Sequence, residues 1–140
     1  MLGHLYEGQE CSAARTLELV GERWSLLILR DAMFRGYTRF TQFQASLGIA
    51  TNVLAKRLDS FVAAGLMRTQ DQQYLLTEKG GDLKPVVVAL TAWGDRWVRP
   101  GPITYVHESC GGGDVVQHLH CDRCGGPVEP EVVRVRRRTP

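Results

Sequence analysis

From Trp24 to Phe34 the chain is nearly continuous in apolar residues: Trp24, Leu26, Leu27, Ile28, Leu29, Ala32, Met33 and Phe34. Such a segment predicts a central helix touched by neighbours from most sides, so the core has to be assembled around it. With 140 residues in all, the chain can build one modest core and an appendage, but not two full-sized domains.

The surrounding sequence supplies partners for that helix. Ala13, Ala14, Leu17 and Val20 recur at helical spacing after Cys11, and Gly21 is a natural stop. Beyond the turn Arg35-Gly36-Tyr37 and a short extended piece from Thr38 to Phe40, Thr41-x-x-Gln44 reads as a capping box opening a brief helix that Gly48 closes. A second helix follows from about Thr51 to Ala64, with Leu54, Leu58, Phe61 and Val62 on one face and Gly65 as its cap. Two short helices joined this tightly form a helix-turn-helix. Leu66 to Thr69 and Gln73 to Leu76 then read as a hairpin around Gln70-Asp71-Gln72, where a wing would lie. Thr77 is placed to cap one long helix carrying Leu83, Val86, Val87, Leu90, Trp93 and Trp97, ended by Arg99-Pro100-Gly101-Pro102. The expected fold is mainly α with a small β wing (α+β), a winged helix-turn-helix. Three segments are expected: an N-terminal arm over 1–10, the winged domain over 11–100, and a short β-rich Cys/His module with a basic tail over 101–140.

Net charge is only +2, so a case for nucleic acid rests on placement. Between Asp31 and Asp59 there is no acid, while Arg35, Arg39, Lys56 and Arg57 fall in that window. A surface facing phosphates has this pattern. The second helix presents Thr51, Asn52, Ala55, Lys56 and Asp59 opposite its apolar stripe. Its N-terminal half would enter the major groove, where Asn and Arg make bidentate base contacts worth about 1–3 kcal/mol each. The candidate DNA-binding residues are Arg39, Thr41, Gln42, Thr51, Asn52, Lys56, Arg57 and, on the wing, Arg68. The bland alternative is a solvated face of an amphipathic helix.

Several motifs together are similar to the HxlR family of MarR-like winged-helix regulators. They are Cys11-Ser12-Ala13-Ala14-Arg15, Leu19-Val20-Gly21-Glu22-Arg23-Trp24-Ser25-Leu26-Leu27-Ile28-Leu29-Arg30, Arg39-Phe40 with Phe43, Gly48-Ile49, Asn52-Val53-Leu54 with Arg57-Leu58, Ala64-Gly65-Leu66, Leu76-Thr77-Glu78-Lys79-Gly80, and Ala92-Trp93-Gly94 with Trp97. The resemblance spans roughly Cys11 to Trp97. It implies a homodimeric repressor or activator on double-stranded DNA, a dimer interface built from the first and the long helix, a possible small-molecule effector, and Cys11 as a redox candidate. The chain departs from the family pattern in a short wing with one cation, Arg68, and in Ala50-Thr51 where relatives begin the recognition helix with Ser-Pro, which moves the expected cap to Thr51.

His107-x-x-Cys110 and Cys121-x-x-Cys124 form two knuckles ten residues apart, the ligand number and pairing of a structural zinc ribbon. His118 or His120 in place of His107, free thiols on a glycine-rich β appendage, and a redox CxxC remain open alternatives. The polar N-terminus and the lack of any membrane-length apolar run lead us to expect a cytoplasmic protein with no membrane contact. No phosphate loop, HExxH or nucleophile-base pair is present, so an enzyme is not expected. A protein-protein interaction module of zinc ribbon and winged helix is the second reading.

Overall fold

The structure, a computed structural model, describes residues 6–139; residues 1–5 of the expected N-terminal arm lie outside the described residues. The chain divides into two compact units, Met1–Val87 and Val88–Pro140. In the first, α1 (Ser12–Val20), α2 (Ser25–Arg35), α3 (Phe40–Leu47) and α4 (Thr51–Ala63) precede a hairpin of β1 (Met67–Gln70) and β2 (Gln73–Leu76) and a one-turn α5 (Glu78–Gly81). A further helix, α6 (Lys84–Trp97), begins in this unit and runs into the next. The unit boundary therefore falls inside α6 rather than at Pro100–Pro102. Val87 in the first turn of α6 is buried and Leu83, just before the helix, packs on the core, whereas Thr91 meets Tyr105 of the following segment. Among the described residues no helix is long and apolar enough to cross a membrane.

The apolar run does form the centre. Ile28 and Leu29 of α2 are fully buried, together with Phe43 of α3, Leu54, Leu58 and Phe61 of α4, and Met67 at the root of the wing. One flank stays open: Phe34 is exposed, with the Lys84 ammonium 5.3 Å from its ring centroid.

A carboxylate shares this core. Asp31 has no exposed surface; its Oδ1 accepts from Nε and Nη2 of Arg30 at 3.0 and 2.9 Å, and its Oδ2 accepts from Ser46 Oγ at 2.7 Å. A buried charge is tolerated only when it is paired and hydrogen-bonded, and these partners come from α2 itself and from α3. The bond to Ser46 thereby fixes α3 against α2.

Three local expectations change. The cap of α3 lies at Arg39, not Thr41: Gln42 Oε1 accepts the N–H groups of Thr38 and Arg39, both at 3.0 Å. The wing turn is the two-residue Asp71-Gln72, both at positive φ (50° and 61°), with Gln70 and Gln73 paired across it. The long helix expected from Thr77 is broken in two. Thr77 caps α5 by accepting from Gly80 N–H, and α6 restarts at Lys84 because Pro85 cannot sit inside a continuous helix. Gly80 itself is required by contact, since a Cβ there would run into the backbone oxygen of Leu66.

In the second unit two small turns follow α6. Strand β3 (Val106–His107) pairs with β4 (Gly113–Asp114) around a 3₁₀ turn at Glu108–Cys110, and a lone bridge joins His120 to Pro127. A second 3₁₀ turn covers Pro130–Val132. Val115, Val116, Val132, Val133 and Val135 are all exposed.

Removing the carboxylate in Asp31→Ala is expected to cost about 3 kcal/mol and Ser46→Ala about half of that. Urea unfolding at unchanged slope measures both, and equal losses in the two variants would mean that Arg30 contributes nothing to holding Asp31.

Candidate nucleic-acid interface

The turn between α3 and α4 is three residues long. Gly48 ends α3 in the left-handed conformation (φ 64°), Ile49 plugs into the core at 3% exposure, and Ala50 is the N-cap of α4. The expected cap at Thr51 is not made, since Thr51 is the first helical residue and Ala50 has no side chain that can accept a hydrogen bond. Thr51 instead links the two helices: its Oγ1 accepts from Gln44 Nε2 of α3 at 2.7 Å. The start of α4 therefore presents unsatisfied backbone N–H groups and the positive end of the helix dipole, with no acid in its first turn.

Most of the sequence-derived candidates lie outside. Thr51, Asn52 and Lys56 are exposed along one side of α4, and Arg39, Thr41 and Gln42 are exposed at the start of α3. Gln42 is half committed, since its carbonyl oxygen caps α3 and leaves its amide N–H groups free for a ligand. Arg68 is exposed on β1, its guanidinium bonded to Gln70 Oε1 at 2.6 Å. Among the described residues no acid pairs with Arg39, Lys56 or Arg68.

Arg57 is the exception and corrects the sequence reading. It is 5% exposed and turned inward, with Nε 3.9 Å from Glu22 Oε2. Residue 57 is three positions after Leu54 and four before Phe61, so it shares their buried face and cannot reach a groove. Glu22 was not singled out from sequence, yet it does two things: its Oε2 also accepts from the Trp24 N–H at 3.0 Å, capping the start of α2. One carboxylate thus ties the recognition helix to the central helix.

The wing is anchored rather than free. Tyr74 N–H donates to Thr38 O at 2.7 Å, and Thr38 Oγ1 donates to Gln73 Oε1 at 2.9 Å, so β2 is tied to the segment two residues ahead of α3. Exposed Asp71 sits at the wing tip.

The other candidates stand elsewhere. Cys11 is exposed at the N-cap of α1, where its Sγ accepts from Ala14 N–H at 3.4 Å. His107, Cys110 and Cys124 are exposed and Cys121 is half-buried; among the described residues no three His, Cys, Asp or Glu side chains are gathered closely enough to hold a metal ion. On α6, Val86, Leu90, Trp93 and Trp97 form a stripe at three- and four-residue spacing, 44%, 54%, 61% and 64% exposed.

The chain as a whole resembles known proteins. Residues 19–102 match the family model described as HxlR-like helix-turn-helix. The chain is 41% identical to an uncharacterised HTH-type transcriptional regulator of Mycobacterium bovis, over 99% of this chain and 89% of the relative. It is similar to the crystal structure of PA1607, provisionally classed as a transcription factor, with a TM-score of 0.80 and 38% identity over 92% of this chain and 96% of that one. It is also similar to quinone-bound YodB of B. subtilis, with a TM-score of 0.56 and 30% identity over 61% of this chain and 97% of that one.

Arg57→Ala is expected to lower folding stability by about 3 kcal/mol because it strips Glu22 of its partner and empties a buried site, whereas Asn52→Ala and Lys56→Ala stay within about 0.5 kcal/mol. Urea melts of the three variants decide; an unchanged midpoint for Arg57→Ala would return this residue to the surface.

Proposed function

This chain belongs to the HxlR-like helix-turn-helix family of transcriptional regulators, and from that premise we propose that it acts in the cytoplasm as a homodimer, binding double-stranded promoter DNA as a repressor or activator. The observation that carries the proposal is the outer face of α4, where Thr51, Asn52 and Lys56 stand exposed beside an uncapped helix start whose first turn carries no acid. Asn52 is suited to bidentate contact with adenine in the major groove. Lys56, Arg39 and Thr41 are suited to phosphates, and Arg68 brings the wing's single cation to the backbone.

The homodimer reading rests on the α6 stripe. Two tryptophans, a leucine and a valine exposed in register are poor solvent-facing residues, and a second copy of the same stripe covers them in a two-fold arrangement. Exposed Leu17 and Leu19 of α1 add apolar surface of the same kind. A two-fold dimer places its recognition helices about 34–36 Å apart and selects a palindromic operator. For switching, the exposed Cys11 thiol is the point of attack for oxidants or quinone-class electrophiles, because its modification removes the sulfur that caps α1. A small-molecule effector has a second place to act, the groove that Glu18 and Leu19 of α1 share with Lys56, Ser60 and Ala63 of α4.

In a gel shift with the chain's own upstream DNA, binding is expected to weaken steeply with salt. Lys56→Ala should lower the log–log salt slope by about one and Asn52→Ala should cost about 1–3 kcal/mol at one base position. Absence of binding to any promoter fragment at low salt refutes the proposal. In sedimentation, Trp93→Glu should turn a dimer into a monomer and weaken operator binding at least tenfold; a parent chain that is monomeric at tens of micromolar removes the dimer.

A further inference from the structure

The DNA-binding reading leaves the second unit without a task, and its two small turns are built alike. In the first, His107 and Cys110 flank a turn closed by Gly112 N–H donating to His107 O and Gly111 N–H donating to Glu108 O, both at 3.0 Å. The pairing of β3 with β4 clamps its base. In the second, Cys121 and Cys124 flank a turn closed by Gly125 N–H to Cys121 O at 2.8 Å and Cys121 N–H to Gly126 O at 2.9 Å. The His120–Pro127 bridge and the bond from Val128 N–H to Leu119 O clamp that base.

Both turns are shaped around sulfur. Each second cysteine is followed by a glycine at positive φ, 99° at Gly111 and 71° at Gly125. A Cβ on Gly113 would stand 3.5 Å from Cys110 Sγ and one on Gly126 3.6 Å from Cys124 Sγ, ordinary van der Waals contact, so each turn folds back beside its second sulfur. A cysteine binds a soft metal as its thiolate, and each turn brings one or two such sulfurs to its rim.

Nothing else in the segment accounts for two formed turns. All of its valines but the half-buried Val128 are exposed, and a stretch this short cannot bury a core of its own. All four cysteines of the chain are free. A disulfide between Cys121 and Cys124 would leave the matching His107–Cys110 turn without a reason.

We propose that His107, Cys110, Cys121 and Cys124 are the four ligands of one structural zinc ion, each turn contributing two donors. The ligand set is closed and leaves no open position, so the ion serves stability rather than catalysis. The four side chains are not gathered among the described residues, and the ion is what draws the two turns together.

The test uses the full chain, expressed with added zinc and purified without chelator. Metal analysis should give about one zinc per chain, and Cys110→Ser, Cys121→Ser and His107→Ala should each retain less than about a tenth of that. The far-UV helical signal, which arises in elements outside the two turns, should persist in each variant and show that loss of metal is not loss of fold. Cobalt added to the zinc-free chain should give the intense visible bands and thiolate charge-transfer absorption of a tetrahedral site. Four results overturn the proposal: a parent chain without zinc, zinc retained in Cys110→Ser, zinc lost from His118→Ala or His120→Ala but kept in His107→Ala, or an intact mass lower by two hydrogens that shows Cys121 and Cys124 joined as a disulfide.

Discussion

Two carboxylates hold the helix-turn-helix from behind. Asp31, inside α2, bonds Ser46 of α3, and Glu22, at the entry to α2, faces Arg57 of α4. Each is largely withdrawn from water, so each interaction is stronger than a surface pair and costly to leave half-made. The consequence is electrostatic as well as mechanical. Asp31 and Glu22 spend their charge on the inner side of α3 and α4, and the outer faces carry Arg39 and Lys56 without acid partners among the described residues, with Asp59 exposed one turn beyond Lys56. One arrangement thus orients the two helices and keeps these two carboxylates off their exposed faces.

Much of this was legible in the sequence, and the reasons are local. The apolar run at Trp24–Phe34, the stripe Leu54, Leu58, Phe61 and the glycines at 36 and 48 obey helical periodicity and capping rules that act within a few residues. The hairpin followed from two extended segments around a polar turn. Arg57 was misplaced because residue type outweighed spacing. Its position between Leu54 and Phe61 already marked it as inward, and only the existence of a partner, Glu22, 35 residues away in the chain, made a buried arginine affordable. Long-range pairing of that sort leaves no local trace. The break at Pro85 was visible in the sequence but overridden by the apolar repeat on either side of it.

The second unit shows the limits of a different kind of inference. Ligand spacing is a statement about chemistry, and the structure has a turn at each of the two places it marks, residues 107–110 and 121–124. Spacing does not say whether distant turns meet, and a metal ion that would unite them is not an interaction between amino acids. The family match ends at residue 102, while the mycobacterial relative aligns with nearly the whole chain. The segment beyond α6 therefore belongs to a branch of the family rather than to its minimal DNA-binding unit.

Local rules are broken at three places, and their distribution carries meaning. Helix α4 starts without a side-chain cap, which forgoes about 1 kcal/mol available from Ser or Asn at position 50. The wing turn places Gln72 at positive φ, where glycine would be unstrained. The α6 stripe leaves two tryptophans in water. The interior, by contrast, has every buried side-chain polar atom among the described residues bonded. A chain that satisfies its core so fully and departs from good practice only on exposed surfaces is one whose exposed surfaces are completed by something else. The uncapped N–H groups of α4 suit an anion and the α6 stripe suits another apolar face, two different demands that the proposed DNA-bound dimer would meet together.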